Sequence, residues 1–141
     1  MGTLRVPTAG FGEATLSSRD GGVHLEEVSV ELRTLDSYHL PDLGFLKIDV
    51  EGHEENLLSG PTETISSHRP VIFIEAEERH NPGVVARIEE FLKQLGYEDN
   101  SVLVAGKFRP LSQFDLARDQ LGIDSVSSPL YANNFLFRPR K

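Results

Sequence analysis

Gly44-Phe45-Leu46-Lys47-Ile48-Asp49-Val50-Glu51-Gly52-His53-Glu54 is the stretch on which the fold turns. Its first part is a mostly apolar run bounded by glycine, and Val71-Ile72-Phe73-Ile74 is a second, continuous one. Runs of β-branched and aromatic residues without polar alternation suit strands buried on both faces, as in a parallel sheet under helices. Between them, Glu54 to Leu58 and Thr62 to Ile65 read as two short helical pieces split by Ser59-Gly60-Pro61, with Pro61 suited to the first position of the second. Strand, helix and strand within about 30 residues make a βαβ unit, which crosses over right-handed.

Downstream, Val84, Val85, Ile88, Phe91, Leu92 and Leu95 recur at helical spacing, with Arg87, Glu89, Glu90, Lys93 and Gln94 on the other side. Asn81 is placed to cap this helix, Pro82 suits its first turn and Gly96 its C′ position. Ser101 to Val104 and Asn134 to Phe137 read as two late strands. The connection from Leu111 to Leu130 holds one short helix around Phe114 to Leu121 and is a candidate lid or substrate loop. Upstream, Gly10 to Leu16 and Glu27 to Leu32 alternate on either side of Asp20-Gly21-Gly22, the pattern of two antiparallel strands about a turn. Thr34 to Tyr38 offers helix-start residues that Pro41 brings to an end.

The chain has 141 residues, 38% hydrophobic and 26% charged, the make-up of one globular domain over its whole length, residues 1–141. Its longest apolar runs fall far short of the roughly 20 residues of a membrane span, and no signal-peptide stretch lies behind the N-terminus, so a cytoplasmic address and no membrane partner are expected. There is no cysteine, hence no disulfide framework and no Cys-ligated metal centre. The 14 Lys+Arg against 22 Asp+Glu give a formal charge of -8, which argues against a nucleic-acid partner that tracks phosphates with a basic face.

Polar residues concentrate where an α/β protein keeps its site. Asp49 and Glu51 lie at the carboxyl end of the first parallel strand, with His53 and Glu54 at the start of the next helical piece. Glu75, Glu77, Glu78, Arg79 and His80 occupy the equivalent end of the second strand. Ligands of open α/β sheets bind beyond those ends, and adjacent strands about 4.8 Å apart bring the two clusters onto one crevice. Asp49, following Phe45-Leu46-Lys47-Ile48, is expected part-buried at the lip of the sheet. Each carboxylate alone also reads as a solvated strand-end or helix-start residue, and each histidine as a surface one. Asp49, Glu51, His53, Glu75 and His80 further offer O and N donors for a divalent metal, the basis of a metal-dependent hydrolase reading, although no compact His-Glu-x-x-His signature supports it. Gly10-Phe11-Gly12 imitates a dinucleotide fingerprint, but no helical period comes after it. No Gly-x-Ser-x-Gly elbow is present.

The segment Lys47-Ile48-Asp49-Val50-Glu51-Gly52-His53-Glu54 closely resembles the Lys-Ile-Asp-Val-Glu-Gly-x-Glu motif of the FkbM-type S-adenosylmethionine-dependent methyltransferases, at their fourth sheet strand. Thr34-Leu35-Asp36, Leu58-Ser59-Gly60, Arg69-Pro70-Val71-Ile72 to Glu75, and Asn134 to Phe137 keep the family order, most clearly from Thr34 to Tyr97. The resemblance implies an α/β fold, part of a Rossmann-like class I methyltransferase sheet with parallel central strands and a late antiparallel pair. Residues Thr3 to Leu32 resemble the antiparallel pair ahead of the fourth strand, so the chain is similar to the C-terminal part of the domain, without its glycine-rich cofactor loop.

The resemblance also implies S-adenosylmethionine as cofactor and methyl transfer, to a hydroxyl oxygen of a small molecule or sugar. In that reading Asp49 and Glu51 lie toward the cofactor, Asp49 and His53 are the catalytic candidates, and Glu75, Glu77 and His80 hold the acceptor. A non-catalytic remnant acting as a binding or interaction module is the alternative. With the first sheet strands missing, Phe45 to Ile48 becomes an open edge, and a homodimer or a second chain covering it is expected.

Overall fold

In the computed structural model the described residues are 1–7, 25–50 and 62–140. Gly2–Pro7 (β1) and Leu25–Val30 (β2) pair antiparallel, with Gly2 opposite Val30 and Pro7 opposite Leu25. The expected second strand, Glu27 to Leu32, falls largely in β2, whose partner among the described residues is Gly2–Pro7. Pro7 ends the strand, where its missing N–H breaks no ladder. The expected strand Gly10 to Leu16, and the turn after it, lie outside the described residues.

A 3₁₀ turn at Leu35–Tyr38 leads to Phe45–Ile48 (β3), which pairs parallel with Val71–Glu75 (β4), Phe45 opposite Val71 and Ile48 opposite Ile74. Thr62–His68 (α1) lies between them in the chain, while the Glu54 to Leu58 piece and Pro61 lie outside the described residues. Next come Val84–Gln94 (α2), Tyr97–Val104 (β5), Lys107–Pro110 (β6) and Asn134–Pro139 (β7). The sheet order is β3-β4-β7-β5-β6, and every pairing after β3–β4 is antiparallel. The result is a mixed α/β sheet. The parallel pair stands at one end, and the middle strand is β7, antiparallel to both neighbours, where parallel central strands were expected. The late strands β5 and β7 do pair antiparallel.

One face of the sheet carries the core. Ile48, Ile72, Ile74, Val102, Phe135 and Phe137 meet Ile65 of α1 and Val84, Val85, Ile88 and Leu92 of α2. The other face is half-covered: β4 alternates half-buried and buried residues, and Phe45 is 56% exposed. Two-sided burial, expected of these largely apolar runs, therefore fails for β3 and β4, because the described helices contribute their buried residues to one face only. On the other face Phe73 and Phe108 meet edge to face, their centroids 6.5 Å apart.

The ends of α2 separate two kinds of capping signal. Gly96 takes φ 82° just past the helix, the left-handed C′ position expected of it. Asn81 does not cap. Its Oδ1 accepts from Arg87 Nη2 at 2.7 Å, and the free amides of the first turn go to Glu78 instead. Glu78 Oε1 accepts from Val85 N at 3.0 Å, and Oε2 accepts from Gly83 N. A carboxylate with two oxygens serves two orphan amides, which a side-chain amide has only one oxygen to do. Asp36 performs a similar task at longer range, its Oδ1 accepting from Thr64 N of α1 at 2.8 Å. Hydrogen bonds from the Thr64 side chain and backbone hold the Asp36 carboxyl below its ordinary value.

The strand β6 has no counterpart in the sequence reading. It forms a two-residue hairpin with β5 through Ala105 and Gly106, both left-handed at φ 51° and 73°, as the tight hairpin turns require. The connection after it holds a 3₁₀ turn at Leu111–Gln113 and a π-helical turn at Ala117–Leu121, shorter than the expected Phe114 to Leu121 helix. Its first part is anchored. Asp119 is buried, bridged by Arg118 through both oxygens at 2.7 and 2.8 Å and paired with Arg109. The Arg118 hydrogen bonds hold the Asp119 carboxyl well below the carboxylate range. Leu111, Asp119 and Gln120 are therefore fixed in the body of the fold, while most of the residues between Leu111 and Ile123 stay exposed. No helix among the described residues is long and apolar enough to cross a membrane.

Candidate functional site

Because Ile48 pairs with Ile74, Asp49 and Glu75 come next, side by side, at the carboxyl ends of two adjacent parallel strands. Asp49 is not part-buried as expected. Its side chain is 41% exposed and accepts from Lys47 Nζ at 2.7 Å, the two lying on one face because strand side chains alternate. That hydrogen bond from Lys47 to Asp49, reinforced by the charges of Asp49 and Glu75, holds the Lys47 ammonium above its ordinary value against the opposing effect of desolvation. Glu51 and His53 lie outside the described residues.

The second cluster is more tightly built. The chain continues past β4 in alternation, so that Glu75 and Glu77 point one way while Ala76 and Glu78 are buried. The buried pair is held from below by Gln120, itself 0% exposed. Its Oε1 accepts from Glu78 N at 3.0 Å, and its Nε2 donates to Ala76 O at 3.0 Å and Ala132 O at 2.8 Å. On the outer side, Asn133 Nδ2 donates to Glu75 Oε1 at 2.6 Å and reaches Glu77 Oε1 at 3.5 Å. Tyr131 donates its hydroxyl to Glu77 Oε2 at 3.1 Å, and His80 Nδ1 stands 3.6 Å from the same oxygen. The Arg79 guanidinium lies over the Tyr131 ring, 5.2 Å from its centroid, and donates to Gln120 O at 2.7 Å.

The structure thus brings Glu75, Glu77 and His80 into one cluster, with Asp49 and Lys47 on the neighbouring strand end. Tyr131 and Asn133 escaped the sequence reading, and Asn134 and Gln120 entered it only as parts of an expected strand and helix. Tyr131-Ala132-Asn133-Asn134 is a polar and aromatic run just before an apolar strand, which marks a strand start. Its meeting with Glu75 depends on β7 lying antiparallel beside β4.

Burial pushes the Tyr131 hydroxyl up to about 12, and the Glu77 carboxylate adds to the effect by its charge and its hydrogen bond. Burial alone drives Tyr97 to about 12, its hydroxyl donating to Pro70 O at 2.7 Å. Both groups favour the neutral phenol in the folded state. Their contribution to stability is complete below the unfolded value near 10 and is lost as pH rises through about 12. Absorbance at 295 nm will show these two of the three tyrosines ionising late, and Glu77→Gln will bring Tyr131 back toward its ordinary value while leaving Tyr97 in place. An unmoved Tyr131 in that variant would show that Glu77 has no part in the shift.

An α/β domain with acidic residues gathered at the carboxyl ends of a parallel strand pair has the layout of an enzyme or ligand-binding domain of the open-sheet class. Residues 2–98 match the methyltransferase FkbM domain, and the chain belongs to that family, whose members are methyltransferases. The match takes in β1 to β4 and α2 and ends as β5 begins. No curated protein and no solved structure matches the chain.

Of the two residues that the resemblance turns toward S-adenosylmethionine, Asp49 is an exposed carboxylate paired with Lys47, and Glu51 lies outside the described residues. Among the described residues no strand, glycine-rich loop and helix unit precedes β3; the β1–β2 pair stands there. No group of three His, Asp or Glu among the described residues is arranged to hold a metal ion.

Proposed function

We propose that this domain takes part in S-adenosylmethionine-dependent methyl transfer to a hydroxyl oxygen of a small molecule or sugar, in the cytoplasm. The observation that carries the reading is the side-by-side placement of Asp49 and Glu75 at the carboxyl ends of β3 and β4, in a chain of the FkbM family. When bound, S-adenosylmethionine supplies an electrophilic methyl group on a sulfonium. The protein's share is alignment, together with a base within about 3 Å of the acceptor proton. Asp49 accepts or orients that proton, with His53 the second candidate base and Glu51 toward the cofactor. Glu75 holds the acceptor across the crevice, with Glu77 and His80 beside it.

A binding or interaction module is the second reading, favoured by the β1–β2 pair standing ahead of β3 where a cofactor loop would. Among the described residues β3 pairs only with β4, and we place a second copy of the chain, or another chain, along its other edge. Direct binding of S-adenosylhomocysteine, with the oligomeric state recorded on the same sample, separates the two readings.

A further inference from the structure

We propose that the β1–β2 hairpin is an exchange arm: in a dimer of this chain, the apolar face of each hairpin covers the open face of the other copy's five-stranded sheet. The proposal does not rest on the methyl-transfer reading, and it concerns a different surface from the β3 edge.

The hairpin has two sorted faces. Leu4 stands opposite Val28 and Gly2 opposite Val30, so these positions share one face with the Val6–Glu26 pair. Leu32 extends that face by lying over Gly2, where a Cβ would come within 2.6 Å of Leu32 Cδ1. Thr3, Ser29, Arg5 and Glu27 make the other face, with Arg5 Nε 3.0 Å from Glu27 Oε1. Among the described residues neither strand adds to the buried core, and each pairs only with the other. Val28 is 41% and Leu32 52% exposed. A lone two-stranded hairpin is marginal in water, so its apolar face calls for a surface to rest on.

The sheet has the matching deficit. On the face away from α1 and α2, Phe45 is 56% and Phe108 49% exposed, and Val71, Phe73 and Leu103 are half-buried. The cover that the sheet provides for itself is the meeting of Phe73 of β4 with Phe108 of β6, across the two strands between them.

The tether decides whose hairpin fits. Asp36 Oδ1 accepts from Thr64 N at 2.8 Å, which ties the chain to α1 on the core side of the sheet. From Leu32 to Asp36 there are four residue steps, at most about 14 Å when fully extended. A helix on one face and a ribbon on the other lie about 20 Å apart, roughly 10 Å on each side of the sheet, and the chain must also pass around an edge. The hairpin therefore cannot reach the open face of its own sheet. That of a second copy can, and a two-fold axis makes the exchange mutual and closed. Each ribbon covers a footprint of about 20 by 10 Å. Two such contacts, with both surfaces counted, remove roughly 1,000 Å² or more from water, the size at which specific interfaces begin.

Sedimentation equilibrium of the full chain will show a dimer. Val28→Asp on the hairpin and Phe108→Asp on the sheet, both at exposed positions, will each weaken it at least tenfold while the far-ultraviolet spectrum stays the same. Ser29→Asp, on the polar face of the hairpin, will leave the dimer within twofold of the parent. Mixing the two weakened variants then reads the geometry. A mixed pair regains one intact contact, the hairpin of the Phe108→Asp chain on the sheet of the Val28→Asp chain, and will associate more tightly than either variant alone. A monomeric parent overturns the proposal. So does a dimer that either variant leaves intact, which places the contact elsewhere, at the β3 edge for example. A mixture no tighter than its components overturns it as well.

Discussion

Replacing Gln120 with leucine will destabilise the fold by about 3–5 kcal/mol, although the side chain keeps nearly its size. Gln120 is wholly buried and its amide satisfies three backbone groups on two segments: Glu78 N, Ala76 O and Ala132 O. Leucine leaves all three buried without partners, and each orphaned group costs about 1–3 kcal/mol. Local relaxation and entry of water bring the total below the sum of the separate costs. For a domain whose whole stability is about 5–15 kcal/mol, that puts the variant near the limit of folding. Urea unfolding of the two proteins checks this. Gln94→Leu is the control: Gln94 is exposed, makes a single 3.4 Å contact with Glu90, and will shift stability by no more than about 0.5 kcal/mol. A Gln120→Leu variant within about 1 kcal/mol of the parent, by the scale of ordinary surface changes, would mean that the network is not what holds residues 76–78 against β7. Since Glu77 sits between the two residues Gln120 grips, the same variant will loosen the acidic cluster.

Asp49→Asn carries the largest expected effect on activity, a loss of about 10²–10⁴-fold in methyl transfer, the range for removing a positioned general base. Stability will hardly change. The Lys47–Asp49 pair is exposed on both sides, and such pairs contribute only about 0–1 kcal/mol. Affinity for S-adenosylhomocysteine will also be retained, because the asparagine keeps the shape and one acceptor oxygen. Lys47, deprived of the carboxylate that raises its pKa most, will titrate closer to an ordinary lysine. Initial rates with each variant at saturating cofactor decide the matter, and unchanged turnover would remove Asp49 from the mechanism.

Much of the scaffold around this site is legible in the residues alone. The mostly apolar run Phe45 to Ile48 and the continuous run Val71 to Ile74 mark a parallel pair, and the spacing from Val84 to Leu95 marks α2 and its glycine terminator, because these signals are local. The features that escaped depend on contacts between distant segments or on unusual turn residues. The strand β6 was hidden because one of its two turn positions is Ala105, an alanine held at φ 51° where the usual signal is Asn or Gly. Glu78 reads as a crevice acid in the sequence, yet it caps α2 because the turn before that helix swings the carboxylate back onto Gly83 and Val85. For the site, the parallel register of β3 and β4 leads into Asp49 and Glu75, whereas the burial of Asp49 was overestimated. A lysine two residues earlier on the same face keeps its charge solvated and paired. Asn133 and Tyr131 had no motif to announce them. They reach Glu75 and Glu77 only because the last strand inserts between β4 and β5, a topology that no local pattern encodes.

Methyl transfer by this chain requires that the crevice at the ends of β3 and β4 receive the cofactor. Calorimetric titration of the chain with S-adenosylhomocysteine, with sedimentation of the same sample, tests that directly. The expected result is saturable binding by a species in which a second copy covers the β3 edge. A folded, monodisperse monomer that releases no heat on titration would contradict it, and would leave the FkbM fold here as a binding module without methyl-transfer chemistry of its own.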